Sequence, residues 1–225
     1  MKMKRHGILY LIADRRQGDR KILEALDAGV DIVQLREKER NSAEYLEDAV
    51  WLGREAGKRG ILFLVNDRLD IALASGADGV HLGQDDLPVR QARQIAERCG
   101  LKNFIVGATA RTREQAVRAL KDGADYLGSG AWYSTETKPG AALITDATYR
   151  EILASADIAN VAIGGLTPEN CGRPLELGAD GLAVSAGILS APGVKESVLQ
   201  FKKKLSEYWP LPENSRIECK RKAGM

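Results

Sequence analysis

Short apolar runs alternate with longer amphipathic segments along the 225-residue chain. The runs lie at about 8–12, 31–36, 62–66, 79–82, 104–108, 126–130, 161–164 and 181–185, bounded mostly by Gly, Asn and Asp. Their length and flanks fit buried parallel strands. Helical patterns fall between them, at about 19–28, 41–58, 68–75, 88–98, 112–122, 145–155, 167–177 and 194–207. Strands alternating with helices call for a parallel sheet, and eight such units closing on themselves make a (β/α)8 TIM barrel. An open doubly wound sheet is the other solution; eight units with no second domain favour closure. The predicted organisation is one α/β barrel domain over 1–209 and a basic, mobile tail over 210–225.

A spaced echo supports this reading. Gly29-Val30-Asp31, Gly76-Ala77-Asp78, Gly123-Ala124-Asp125 and Gly178-Ala179-Asp180 recur at intervals of 47, 47 and 55 residues. Each follows an amphipathic segment and precedes an apolar run, so its glycine suits a left-handed helix C-terminus. The echo marks every second strand, as a repeat of two βα units would.

Active sites of such barrels lie at the C-terminal ends of the strands. Strand 1 ends in Ala13-Asp14 and offers little, Asp14 being solvated or capping. On strand 2, Gln34, Arg36 and Lys38 share one face and Val33 and Leu35 the other, because side chains alternate. Two cations turned into a barrel mouth require an anion, Arg supplying a planar fork and Lys a point charge. Strands 3 and 4 end in Asn66-Asp67 and Gln84-Asp85-Asp86. Each acid alone fits a helix cap. Two neighbouring acidic strand ends beside cations fit Mg²⁺, which takes one or two carboxylates and keeps positions for water and phosphate oxygens. His81, one of two histidines, reads as a satisfied barrel-core residue. Thr109 after strand 5 offers a hydroxyl to a phosphate, and Thr112 caps the next helix. The long loop after strand 6 carries Thr135, Thr137 and Lys138, either as a lid or as an ordinary mobile loop. Gly164-Gly165 and Ser185-Ala186-Gly187 follow strands 7 and 8, whose loops form this fold's recurrent phosphate site.

Composition narrows the function classes. A net charge of +2 is too small to make nucleic acid the main partner. Three cysteines, widely spaced and without a CxxC, argue against a disulfide framework or zinc site and for a reducing, cytoplasmic setting. The apolar N-terminal run stops at Asp14 with no cleavage site, and no stretch approaches the roughly 20 residues needed to span a bilayer. The expected partners are small molecules, with no nucleic acid or membrane, and a homo-oligomer is left open. Two anion sites then share one mouth: a metal-assisted, cationic one suited to a diphosphate, and a backbone-lined one suited to a phosphate monoester. That pairing suggests displacement of pyrophosphate by a phosphorylated acceptor.

The segments VQLREK at 33–38, VNDRLDIAL at 65–73, GADGVHLGQDDLP at 76–88, STETK at 134–138, VAIGGLTPEN at 161–170 and GADGLAVSAGI at 178–188 resemble the thiamine-phosphate synthase family. The resemblance covers about residues 8 to 207. It implies a (β/α)8 barrel that joins hydroxymethylpyrimidine diphosphate to a thiazole phosphate with Mg²⁺, through a pyrimidine-methyl cation. Carried over by position, it assigns Gln34, Arg36, Lys38, Asn66, Thr109 and Lys138 to the pyrimidine diphosphate. Of these, Arg36, Lys38, Thr109 and Lys138 would be catalytic. It assigns Asp67 and Asp86 to Mg²⁺, with Asp85 just outside the metal's direct ligands. Thr135, Thr137, Gly165, Ser185 and Ala186 would hold the thiazole phosphate, and Glu136 would also bind substrate. The chain departs from the family pattern in three places: Thr109 stands for serine, Ala131-Trp132-Tyr133-Ser134 for Pro-Ile-Phe-Pro, and Ala186 for serine. A thiazole tautomerase, or a non-catalytic phosphate-binding regulator, would share the barrel but need no cationic diphosphate pocket.

Overall fold

A computed structural model of the chain describes residues 6–135, 140 and 142–210. Eight parallel strands pair in chain order and close: β1 (Ile8–Ala13), β2 (Ile32–Leu35), β3 (Leu62–Asn66), β4 (Gly79–Leu82), β5 (Ile105–Thr109), β6 (Tyr126–Ser129), β7 (Ala159–Ile163) and β8 (Gly181–Val184). Closure is made by β1 against β8, with Ile8 opposite Gly181. The expected (β/α)8 barrel is thus the fold, and the open sheet is not.

Period-two alternation sorts each strand between two cores. Ile8, Tyr10, Ile12, Ile32, Leu62, Leu64, Ile105, Tyr126, Val161 and Ala183 fill the barrel interior. Leu9, Leu11, Val33, Leu35, Phe63, Val65, Val80 and Val184 face outward and pack under the helices. The enclosing helices are α1 (Asp19–Asp27), α2 (Ser42–Gly57), α3 (Leu69–Ser75), α4 (Val89–Arg98), α5 (Arg113–Lys121), α6 (Asp146–Ser155), α7 (Gly172–Glu176), α8 (Ala186–Leu189) and α9 (Val194–Tyr208).

The echo has a physical job. Gly29, Gly76, Gly123 and Gly178 all take positive φ. Two residues on, each aspartate carboxylate accepts the N–H of a residue in the preceding strand: Asp31 from Leu9 at 2.8 Å, Asp78 from Phe63 at 2.8 Å, Asp125 from Val106 at 2.7 Å and Asp180 from Asn160 at 2.7 Å. Each aspartate N–H returns a bond to the carbonyl of that same residue. The four motifs therefore staple adjacent strands around the end of the barrel opposite the mouth.

Two elements differ from expectation. Helix 7 begins at Gly172, not 167, because the Asn170 side chain accepts the Thr167 N–H and donates to Gly165 O, holding a turn there. A short extra helix, α8, opens directly after β8. The tail beyond Pro210 lies outside the described residues.

Candidate active site

A cavity of about 790 Å³ opens at the C-terminal ends of the strands. Its walls bring together most of the expected residues: Gln34, Arg36, Lys38, Asn66, Asp67, Asp85, Asp86, Thr109, Thr135, Gly165, Ser185 and Ala186. Glu136, Thr137 and Lys138 lie outside the described residues.

The face assignment on β2 holds beyond the strand's end. Gln34 is buried, Arg36 half-buried and Lys38 exposed at the rim. Glu37, between them, turns the other way and is buried behind the rim, where it accepts the Arg15 N–H at 3.1 Å. Asp48 receives Arg15 at 2.7 Å and lies 3.0 Å from Arg40. This outer network fixes the segment whose alternate residues supply the cations.

The acids do not cap helices. The residue before α3 is Arg68 and the one before α4 is Pro88, neither with a side-chain cap. Instead Asp67 takes a left-handed backbone, φ 62°, an uncommon conformation for a residue other than glycine. Its N–H donates to His81 O at 2.8 Å, and its carboxylate receives Lys38 Nζ at 2.9 Å. Asp86 accepts the Gly83 N–H at 2.7 Å. The two carboxyls lie close enough to shift each other's titration. Burial pushes both up, but the Asp86 contact and the Lys38 ammonium hold Asp67 below the usual carboxylate range, while the Asp67 contact drives Asp86 further up. Two hard-oxygen donors near one another on adjacent strand ends fit a divalent cation that draws its remaining ligands from water or phosphate. Among the described residues no group of three or more His, Cys, Asp or Glu could form a fuller cage.

The end of strand 1 offers the site nothing, Asp14 capping the turn that follows as expected, but a polar chain that includes Tyr10 from inside that strand crosses the barrel beneath the rim. Gln34 Nε2 donates to Tyr10 Oη at 2.7 Å, and Tyr10 Oη lies 2.9 Å from Tyr126 Oη. Tyr126 Oη is 2.9 Å from His81 Nδ1, and His81 Nε2 is 3.0 Å from Thr109 Oγ1. His81 is thus the satisfied core residue expected, but it also lines the cavity. Burial pushes it down to about 4, so it is neutral at pH 7. If each hydroxyl donates onward, His81 donates from Nε2 to Thr109 and leaves the Thr109 proton for a ligand. Tyr10 and Tyr126 escaped the sequence reading. Their signal was two phenols at inward parity among aliphatic residues, since a buried Tyr hydroxyl needs a partner.

Across the mouth, the β7 and β8 ends present backbone. Gly164 and Gly165 have φ 106° and 63°. A Cβ on Gly165 would lie 2.6 Å from Ser134 O and 2.8 Å from Tyr133 Cβ, so a side chain does not fit. Ser185, Ala186 and Gly187 open α8, where the Ile188 and Leu189 N–H groups already donate to Ser185 O and the N–H groups of Ala186 and Gly187 precede the first helical bond. In the departing segment after β6, Trp132 packs edge-on against Tyr149 at 4.8 Å and Tyr133 Oη donates to Asn170 O. Ala131 and Ser134 alone of the four line the cavity. The departure therefore changes mainly the packing behind the wall.

The chain is similar to a known family, to curated relatives and to a solved structure. The family model described as thiamine monophosphate synthase matches residues 9–188. A thiamine-phosphate synthase of Clostridium perfringens is 41% identical over 211 residues, covering 92% of this chain and 100% of that protein. One from Pyrococcus abyssi is 39% identical, covering 88% and 95%. The solved thiamine phosphate pyrophosphorylase of Pyrococcus furiosus superposes with a TM-score of 0.82 at 36% identity, over 91% of this chain and 98% of that one.

Proposed function

Because this chain belongs to the thiamine monophosphate synthase family, we propose that its mouth joins 4-amino-2-methyl-5-(diphosphooxymethyl)pyrimidine to a 4-methyl-5-(2-phosphoethyl)thiazole, giving thiamine phosphate and pyrophosphate. The observation that carries this is the contact of Lys38 with Asp67, itself close to Asp86, on one wall of a cavity whose opposite wall is glycine backbone. One wall suits a diphosphate with its metal; the other suits a monoester.

In this reading the pyrimidine's exocyclic C–O bond breaks first, both electrons leaving with pyrophosphate. The thiazole nitrogen lone pair then forms the new C–N bond to the pyrimidine-methyl cation. Mg²⁺ held by Asp67 and Asp86 would neutralise charge on the departing diphosphate. Arg36 grips it with a planar fork, Lys38 adds a point charge, and the Thr109 hydroxyl donates a hydrogen bond to it. Gln34 and Asn66 sit deeper and orient the pyrimidine ring. The family resemblance assigns Lys138 to the diphosphate, and Thr135 and Thr137 to the thiazole phosphate; of these, Thr135 lines the cavity. Gly165, Ser185 and Ala186 hold that phosphate through backbone N–H groups. An assay of the purified chain with both substrates and Mg²⁺, following pyrophosphate release, tests the reading. Substrate turnover without pyrophosphate, or none in either case, would reject it.

A further inference from the structure

The cavity is lined by a second arginine besides Arg36, Arg111. Arg111 lies two residues beyond Thr109, so the alternation of β5 carries both to the same side, and both line the cavity. Its Nε is buried without a hydrogen-bond partner. Among the described residues, no carboxylate lies within 4.0 Å of its guanidinium. Arginines elsewhere behave differently: Arg15, Arg59 and Arg93 all fold onto acids. A buried donor left unpaired is costly, which points to an acceptor supplied by a ligand.

The backbone under Arg111 is held. Its N–H donates to Gln115 Oε1 at 2.7 Å, while the Thr112 hydroxyl accepts the Gln115 N–H at 3.3 Å and caps α5. Arg111 thus stands just ahead of the N-terminus of a nine-residue helix, where the helix dipole adds to the attraction for an anion. Position selects which anion. Gln84, beside Asp85 and Asp86, donates to Thr109 O at 2.5 Å, so the end of β5 adjoins the acidic end of β4. The glycine wall of β7 and β8 begins two strands further on.

We infer that Arg111 is a further diphosphate-binding residue, gripping the leaving group from the β5 side as Arg36 does from β2. This rests on the diphosphate reading of the same wall. Calorimetry with inorganic pyrophosphate and Mg²⁺ on the full chain tests both together. Arg111→Gln should weaken pyrophosphate binding roughly 10- to 100-fold, the range for a hydrogen bond to a charged group. Arg111→Lys should recover part of the loss. In turnover, KM for the pyrimidine diphosphate should rise in Arg111→Gln while KM for the thiazole phosphate stays unchanged. A merely structural arginine would move both. If Arg111→Gln binds pyrophosphate within twofold of the parent while Arg36→Gln does not, the inference falls and the diphosphate reading stands. If the parent itself fails to bind pyrophosphate with Mg²⁺, both fall.

Discussion

The barrel has aspartates at both ends, and the two sets do opposite things. At the closed end, Asp31, Asp78, Asp125 and Asp180 each take a strand N–H and return one, so each binds within the fold. At the mouth, Asp67 and Asp86 lie close together beside one lysine. The first arrangement satisfies local groups and repeats with the chain. The second concentrates like charge, which favours a bound cation more than a stable apo fold. The contrast teaches that a carboxylate's role is set by whether its neighbours complete it.

Breaking the mouth should cost activity and little else. Asp67→Asn keeps a residue tolerant of the left-handed backbone but removes the charge. Turnover should fall about a thousandfold, the several kcal/mol that metal charge neutralisation supplies. The melting temperature should fall only slightly, because the one ion pair lost, to the exposed Lys38, is solvent-screened. Parent-like turnover with the same Mg²⁺ dependence would remove Asp67 from the metal site.

The mouth does carry one stability contribution, and it is visible in pH. The His81 imidazole titrates at about 4 in the fold and near 6.5 when unfolded. The unfolded chain therefore binds its proton first as pH falls. Stability from this neutral histidine is fully present above pH 6.5 and is lost down to about pH 4, by about 3 kcal/mol at most. Urea unfolding of the parent and of His81→Gln across that window checks this. Parallel pH curves would show that His81 is not the titrating group.

Breaking the closed end should do the reverse. Asp180→Ala leaves the Asn160 N–H without its carboxylate acceptor in a buried place. It should lower unfolding stability by roughly 1–3 kcal/mol, the cost of an unsatisfied buried donor, while KM for both substrates stays put. A shift in KM larger than the loss of folded protein would mean that the two ends are coupled.

The two ends also differed in how far they could be read from sequence. The closed end repeats as Gly-Ala-Asp or Gly-Val-Asp, so its positions were legible, although the N–H each carboxylate would accept was not. On β2, strict alternation marked Gln34, Arg36 and Lys38 as one face, and the fold bears that out even past the strand. Arg111 obeys the same alternation from Thr109 but lay beyond the strand's apparent end. Tyr10 was hidden because its strand ends in residues that say little.

Local periodicity thus determined the alternation of strands and helices, the positions of the repeated glycines and aspartates, and the faces of single strands, since each shows in the order of residues along the chain. Only the closed tertiary structure decided which faces meet. Lys38 reaches Asp67 across 29 residues and Tyr10 reaches Tyr126 across 116. Those meetings depend on strand register and on closure of β1 against β8, and nothing in a single strand's own pattern encodes its register against another.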